Sequence, residues 1–272
     1  MTNKQRIKTI YDILRKIIKK PASIFLVLKD ETEFEENLQK KYGITKLPTA
    51  NINQFLLNGK ESINHYTFLD GSSMITDLAL LKSIAKSIPN CEYLEIGTWR
   101  GESIMNVAEN AAHCTSVNLS PQDIIAMGLD AKYAQLHGCL IKNQSNIKTV
   151  HANSMHFDFA TLNQKFDLIF IDGDHSYEGV KSDTSKVYDL LKDENSIIVW
   201  HDYGYNPEVT RHSVMAAILD GLPTEAHQYL YHVSNTICAI YTKRKIEASI
   251  QNSPVKPDKV FKVEFQTYPF EI

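Results

Sequence analysis

The chain has 272 residues, 29 Lys+Arg against 32 Asp+Glu for a formal net charge of −3, 43% hydrophobic residues and 10% aromatics. It is too apolar and too weakly charged for a disordered chain, so a packed core is expected, and the near-neutral balance carries no footprint of a nucleic-acid partner. The longest apolar runs, 24–28 and 197–200, fall well short of the roughly 18 residues that a membrane-spanning helix needs, so no transmembrane segment is expected.

In chain order, residues 4–20 place Ile7, Ile10, Leu14, Ile17 and Ile18 on one helical face, with Lys4, Arg6, Lys8, Arg15, Lys16, Lys19 and Lys20 elsewhere. The stretch has neither the continuous apolar run nor the small-residue cleavage site of a signal peptide. A basic amphipathic helix can lie on an anionic membrane surface, or dock on the protein's own body or a second subunit. Residues 1–74 read as a helical extension for oligomerisation, as a homodimer through the N-terminal helices, or for covering a substrate. Residues 74–88, after Ser72 and Ser73 as caps, read as a helix leading into the first strand.

Residues 89–243 alternate short apolar runs with helical patterns, the mark of an α/β protein with a mostly parallel sheet, within a domain expected over 75–243. Strands are expected at 92–96, 114–118, 148–151, 166–171 and 196–200. Ser120-Pro121 reads as an N-cap and first helical residue, with Asp123 in the first turn. A crossover helix over 177–191 carries Val180, Val187, Tyr188 and Leu191 at helical spacing. A helix over 209–219 precedes strands at 227–233 and 236–242; only Ser234-Asn235 separates them, so they must be antiparallel. The expected architecture is a doubly wound, seven-stranded, mostly parallel sheet ending in a hairpin. The tail 244–272 holds Pro254, Pro257, Pro269 and a strand candidate at 259–265. Cys91, Cys114, Cys139 and Cys238 form no C-x-x-C pair, so they read as buried thiols in a reducing, cytoplasmic setting.

The segment carrying chemistry is Tyr93-Leu94-Glu95-Ile96-Gly97-Thr98-Trp99-Arg100-Gly101-Glu102-Ser103. It joins a carboxylate at a strand end to a glycine-bearing turn and a helix start, which in an open α/β sheet faces the crevice at the carboxyl ends of the strands. A dinucleotide fold needs G-x-G-x-x-G; this turn is G-x-x-x-G, with Thr98 at the second glycine position. Glu95 would repel a pyrophosphate but suits cationic S-adenosylmethionine.

With Phe170-Ile171-Asp172-Gly173-Asp174-His175-Ser176-Tyr177 and Val199-Trp200-His201-Asp202-Tyr203, the turn resembles the class I S-adenosylmethionine-dependent methyltransferases, and within them the group with an I-D-G-D-H-S-Y block, related to the catechol, caffeoyl-CoA and macrocin O-methyltransferases. The resemblance covers residues 75–242. It implies a donor site in which Glu95, Gly97, Thr98, Trp99, Gly101 and Ser103 hold the methionine part, Asn118 the ribose and Asn153-Ser154 the adenine, completed by Asp172 and Gly173. Asn118 departs from the usual acid; a neutral amide can still bond a ribose hydroxyl, without charge assistance. Gln122 is a neighbour that could assist, and Asp193-Glu194-Asn195 replaces the usual Gly-Gly turn before the fifth strand.

Asp172, Asp174, His175, His201 and Asp202 follow neighbouring strands and should converge beside the donor. Methyl transfer requires near-attack geometry, and a hydroxyl acceptor also needs a base or a metal. Two readings stay open: Mg²⁺ held by Asp172 and Asp202, as the resemblance implies, or His175 or His201 as the base, with Asp172, His175 and His201 as the catalytic set. Asp174 has the competing role of capping a helix near Ser176. The expected activity is O-methylation of a small-molecule or sugar hydroxyl, with 40–73 and 203–208 covering the acceptor. The alternatives are a nicotinamide-dependent oxidoreductase and a non-catalytic scaffold or membrane-surface adaptor.

Overall fold

The computed structural model describes residues 31–141 and 144–269, together with Arg15. Apart from Arg15, the basic segment 4–20, and dimerisation through it, lie outside the described residues. Helices run over Glu31–Tyr42 (α1), Ile75–Ser87 (α2), Glu102–Ala108 (α3), Pro121–Ala126 (α4), Ala131–Ala134 (α5), Tyr177–Tyr188 (α6) and His212–Gly221 (α7). Strands run over Thr49–Ala50 (β1), Glu92–Ile96 (β2), His113–Asn118 (β3), Ile147–His151 (β4), Leu168–Ile171 (β5), Ile197–Trp200 (β6), Gly204–Asn206 (β7), Val209–Thr210 (β8), Leu230–Val233 (β9), Ala239–Tyr241 (β10) and Ala248–Ser249 (β11).

One sheet has the order β11-β1-β9-β10-β6-β5-β2-β3-β4. β4, β3, β2, β5 and β6 are mutually parallel, and β10 is antiparallel to both β6 and β9. The seven expected strands are its continuous middle and one end. The two further strands, β1 and β11, are two residues each, too short for any period-two pattern to reveal them.

Alternation along the strands assigns each side chain to a face. Leu94, Ile96, Ile169, Ile171, Ile198 and Trp200 pack with Val180 and Val187 of α6 and Val214 and Ile218 of α7. Tyr93, Leu168, Phe170, Ile197 and Val199 pack on the other face with Leu80, Leu81 and Ile84 of α2 and Ile104 and Val107 of α3. Because β5 pairs with β2 rather than with β4, the chain direction switches between β2 and β5. Ligand crevices form at such switch points.

Several sequence expectations need correction. Residues 43–74 are not helical: they hold β1 and two single-turn 3₁₀ segments at Ile52–Gln54 and Leu57–Gly59, interrupted by Gly43, Gly59 and Gly71 at positive φ. The helix expected from 209 starts at His212, since residues 204–210 close into the β7–β8 hairpin. A 3₁₀ segment at Thr224–Tyr229 takes the first part of the strand expected at 227–233. Residues 259–265 form no strand, because their alternating pattern has no partner ladder among the described residues. Ser120 does cap α4, accepting from Asp123 N, with Pro121 at the first position. Cys91, Cys114 and Cys238 are buried and Cys139 is partly so, none of them in a disulfide. No described helix is long and apolar enough to cross a membrane.

Candidate active site

The glycine turn is fixed by backbone approach. Gly97 has φ +82°, and a Cβ there would stand 2.1 Å from the Asp172 carbonyl oxygen. Asp172 N donates to Ile96 O at 2.8 Å and Gly97 N to Val117 O at 3.0 Å, so the ends of β2, β3 and β5 are tied together beneath the crevice. Trp99 adopts φ +42°, unusual for a residue with a Cβ. Gly101, at φ +98°, precedes α3, where a Cβ would meet Ile141 at 3.0 Å.

Glu95 does not face the crevice. It shares the strand face of Tyr93, which places it under α2 and α3, fully buried, with the Tyr93 hydroxyl donating to its Oε2 at 2.6 Å. Burial pushes its carboxyl up to about 8, against the lowering hydrogen bonds of Tyr93 and Ser103. The expected charge attraction from Glu95 to a cationic ligand is therefore replaced by a structural role beneath the turn. Ser103 is buried in the first turn of α3, and neither it nor Gly101 lines the crevice.

The crevice, about 730 Å³, is lined by Gly97, Thr98, Trp99, Asn118, Asn153, Ser154, Asp172, Gly173, Asp174, His175, His201 and Asp202, all singled out in the sequence. This size suits a small-molecule ligand. The Thr98 and Ser116 hydroxyls are hydrogen-bonded to each other. Asn153 Oδ1 accepts from Met155 N at 3.0 Å, and the Ser154 carbonyl accepts from Lys186 Nζ at 2.7 Å. Tyr133 and His137 also line the crevice, with ring centroids 4.7 and 4.9 Å from Trp99. His137 was not distinguishable from the other histidines, because the 119–146 connection has no periodicity relating it to the strand ends.

Beside the glycine turn, at the ends of β5 and β6, acids and imidazoles interlock. His201 Nε2 lies 3.3 Å from Asp77 Oδ2, and its Nδ1 lies 3.1 Å from Asp172 Oδ1 and 3.5 Å from Asp202 Oδ1. Burial alone would lower the His201 pKa, but Asp172, Asp202 and Asp77 together hold it well above the ordinary imidazole value. His175 Nδ1 lies 2.8 Å from Asp202 Oδ2, and this hydrogen bond raises its pKa against burial. The Asp202 carboxyl, which burial would raise, is held far below the usual carboxylate range by His175 and His201. Arg211, unmarked in the sequence, donates through Nη2 to the His175 carbonyl at 3.0 Å and places Nη1 3.7 Å from Asp202 Oδ2. Asp174 bonds Ser176 N and Oγ, while the Ser176 hydroxyl caps α6, so Asp174 supports the cap.

Residues 62–73 form a strap held by polar residues of α3 at helical spacing. Glu102 accepts from Thr67 N at 2.6 Å, Asn106 accepts from Asn64 N at 2.9 Å, and Glu109 accepts from Asn64 Nδ2 at 2.9 Å. Arg100 Nη1 donates to the Asp70 carbonyl at 2.7 Å. Asp70, Gly71 and Ser72 thereby join the crevice wall, Gly71 at φ +79° against the Trp99 indole edge. The loop 203–208, by contrast, packs beside Leu47 and His232 and does not line the crevice.

Asp172, His175 and Asp202 bring ligand atoms within 4.8 Å of one another, two carboxylates and an imidazole whose chemistry suits a divalent cation. Each of these side chains also faces an acid or imidazole of the protein itself, and His201 presents both ring nitrogens to carboxylates.

Residues 94–203 match the family described as a methyltransferase domain. The uncharacterized protein R132 of Acanthamoeba polyphaga mimivirus is 28% identical over 124 residues, 43% of this chain; the chain spans 55% of that relative's length. Among solved structures, cofactor-bound Rv0187 from MTB aligns with a TM-score of 0.48 and 18% identity over 65% of this chain and 84% of that one. The SAH-bound methyltransferase PaMTH1 of Podospora anserina aligns with a TM-score of 0.46 and 19% identity, over 65% and 81%. An O-methyltransferase from Bacillus cereus in complex with SAH gives 0.43 and 14%, over 64% and 84%.

Proposed function

Residues 94–203 match a methyltransferase domain, and on that premise we propose that the chain is a class I methyltransferase that transfers a methyl group from S-adenosylmethionine to a hydroxyl oxygen of a small-molecule or sugar acceptor. The observation that carries this reading is one crevice at the switch point lined by both the glycine turn and the His175–Asp202 pair. Two buried N–H groups on its wall, Trp99 Nε1 and His137 Nε2, have no partner among the described residues, which fits a wall meant for a polar ligand.

The bound donor supplies an electrophilic methyl on a sulfonium and leaves as a neutral thioether. The protein's part is position and proton transfer. His175 is the base: Asp202 holds its Nδ1 side and leaves Nε2 to accept the hydroxyl proton as the acceptor oxygen forms its bond to the methyl carbon. His201 has Nε2 facing Asp77 and Nδ1 within ion-pair distance of Asp172 and Asp202, so it serves as a resident positive charge, not as a base. Residues 62–73 cover the acceptor. Calorimetry with S-adenosylhomocysteine, followed by labelled methyl transfer to a panel of hydroxyl acceptors, tests the reading; no binding by the wild type overturns it.

The cluster of Asp172, His175 and Asp202 favours a second reading, in which these three hold a divalent cation that lowers the pKa of the acceptor hydroxyl. Turnover that survives exhaustive chelation eliminates it, and turnover abolished by chelation and restored by Mg²⁺ eliminates the base reading.

A further inference from the structure

We propose that His137 is a ribose-binding residue of the donor site, acting with Asn118 as a neutral pair where an acid would otherwise hold the sugar diol. The inference rests on the reading of the crevice as a site for S-adenosylmethionine. Asn118 closes β3, and its Nδ2 faces His137 Nδ1 at 3.4 Å. An amide nitrogen can only donate, so the imidazole must accept at Nδ1, and its single proton then sits on Nε2. Burial lowers the His137 pKa, consistent with this neutral form. The ring is held edge-on between Trp99, at 4.9 Å and 80°, and Tyr133, at 5.3 Å and 66°.

This leaves Nε2–H buried at the crevice wall with no partner among the described residues. Native proteins rarely leave such a donor unpaired. A carboxylate at the end of β3 would accept from both hydroxyls of a vicinal diol. Asn118 offers a single acceptor oxygen, Oδ1, where a carboxylate has two, because its amide nitrogen is engaged by His137; Nε2–H can donate to the oxygen of the other hydroxyl. The pair thus offers one acceptor and one donor, which a nucleoside diol can satisfy because each hydroxyl does both.

The test is S-adenosylhomocysteine binding by calorimetry on wild type, His137→Phe, His137→Gln and His137→Asn, with melting temperature measured for each. Glutamine carries an amide N–H where Nε2–H stands, whereas asparagine reaches only the Nδ1 position and phenylalanine keeps the ring without either group. The expected result is a loss of about tenfold for Phe and for Asn, the scale of one hydrogen bond, with Gln within about threefold of wild type. Wild-type binding with an undiminished Phe variant overturns the proposal. So does a Gln variant as weak as Phe with both melting like wild type, since the ring's shape would then matter and not its N–H. Failure of the wild type itself to bind overturns the donor reading, and this proposal with it.

Discussion

Asp77, fully buried in α2, points one carboxylate oxygen at His201 Nε2, 3.3 Å away, and the other at Ile237 N, from which it accepts at 3.1 Å. An acid outside the matched methyltransferase domain thus fixes the histidine that follows β6, together with the turn before β10. Removing one partner of a buried ion pair costs about 3–5 kcal/mol because the other charge is left uncompensated. Asp77→Asn should therefore lower unfolding stability by an amount of that order in denaturant titration, and lower kcat more than it raises KM for the donor. A loss below roughly 0.5 kcal/mol, the size of an ordinary surface substitution, would mean that His201 is not held as a cation.

Gly97→Ala should be far more damaging than Gly128→Ala, although both glycines sit at positive φ. At Gly128 nothing lies within 4 Å of an added Cβ, so only the left-handed backbone opposes it, at about 1 kcal/mol. At Gly97 the added carbon would meet the Asp172 carbonyl at 2.1 Å, and the paired strand ends β2 and β5 must separate. The expected outcome is loss of S-adenosylhomocysteine binding and a large drop in melting temperature for Gly97→Ala only. Equal behaviour of the two variants would show that the turn tolerates separation from β5.

The same contrast explains what the sequence could disclose. Gly97, Asp172 and Asp202 stand directly at strand ends, where the period-two pattern and the topology rule fix their location in space. The period also carries Glu95 to the face opposite Leu94, away from the crevice that its strand-end position suggests. Asp77, His137 and Arg211 reach the site from α2, from the 119–146 connection and from the residue before α7. Their placement depends on long-range packing, and no local spacing encodes it. The strap is an intermediate case: Glu102, Asn106 and Glu109 form a polar stripe on a helix that is otherwise buried, a signal that something polar covers it.

Asp183 gives the protein a defined pH response. It is buried in α6 below Gly173, and burial pushes its carboxyl up to about 6 from an ordinary 3.8. The folded state therefore holds this proton more tightly than the unfolded state. Its stabilising contribution is complete below about pH 4, falls as pH rises through about 6 and is absent above that. A shift of about two units corresponds to roughly 3 kcal/mol. Asp183→Asn should make the stability curve shallower over this interval in urea titrations at several pH values, leaving the decline between about pH 4.5 and 8 that Glu95 contributes. An unchanged slope between pH 4 and 6 would show that Asp183 is not the titrating group.

His175→Ala should separate binding from chemistry. The imidazole stands at the crevice edge, half-exposed, bonded to Asp202 and anchored through its own backbone carbonyl by Arg211. Its removal leaves Gly97, Trp99 and Asn118 untouched, so S-adenosylhomocysteine affinity should stay within about twofold. A positioned base contributes on the order of 10²–10⁴ in rate, and kcat should fall by that factor. Arg211→Lys should produce a smaller loss in the same direction, because lysine offers a single point charge where the guanidinium bonds the His175 carbonyl and faces Asp202 together. If His175→Ala instead retains more than half of wild-type kcat, the proton leaves by another route, and the carboxylates Asp172 and Asp202 become the groups to test.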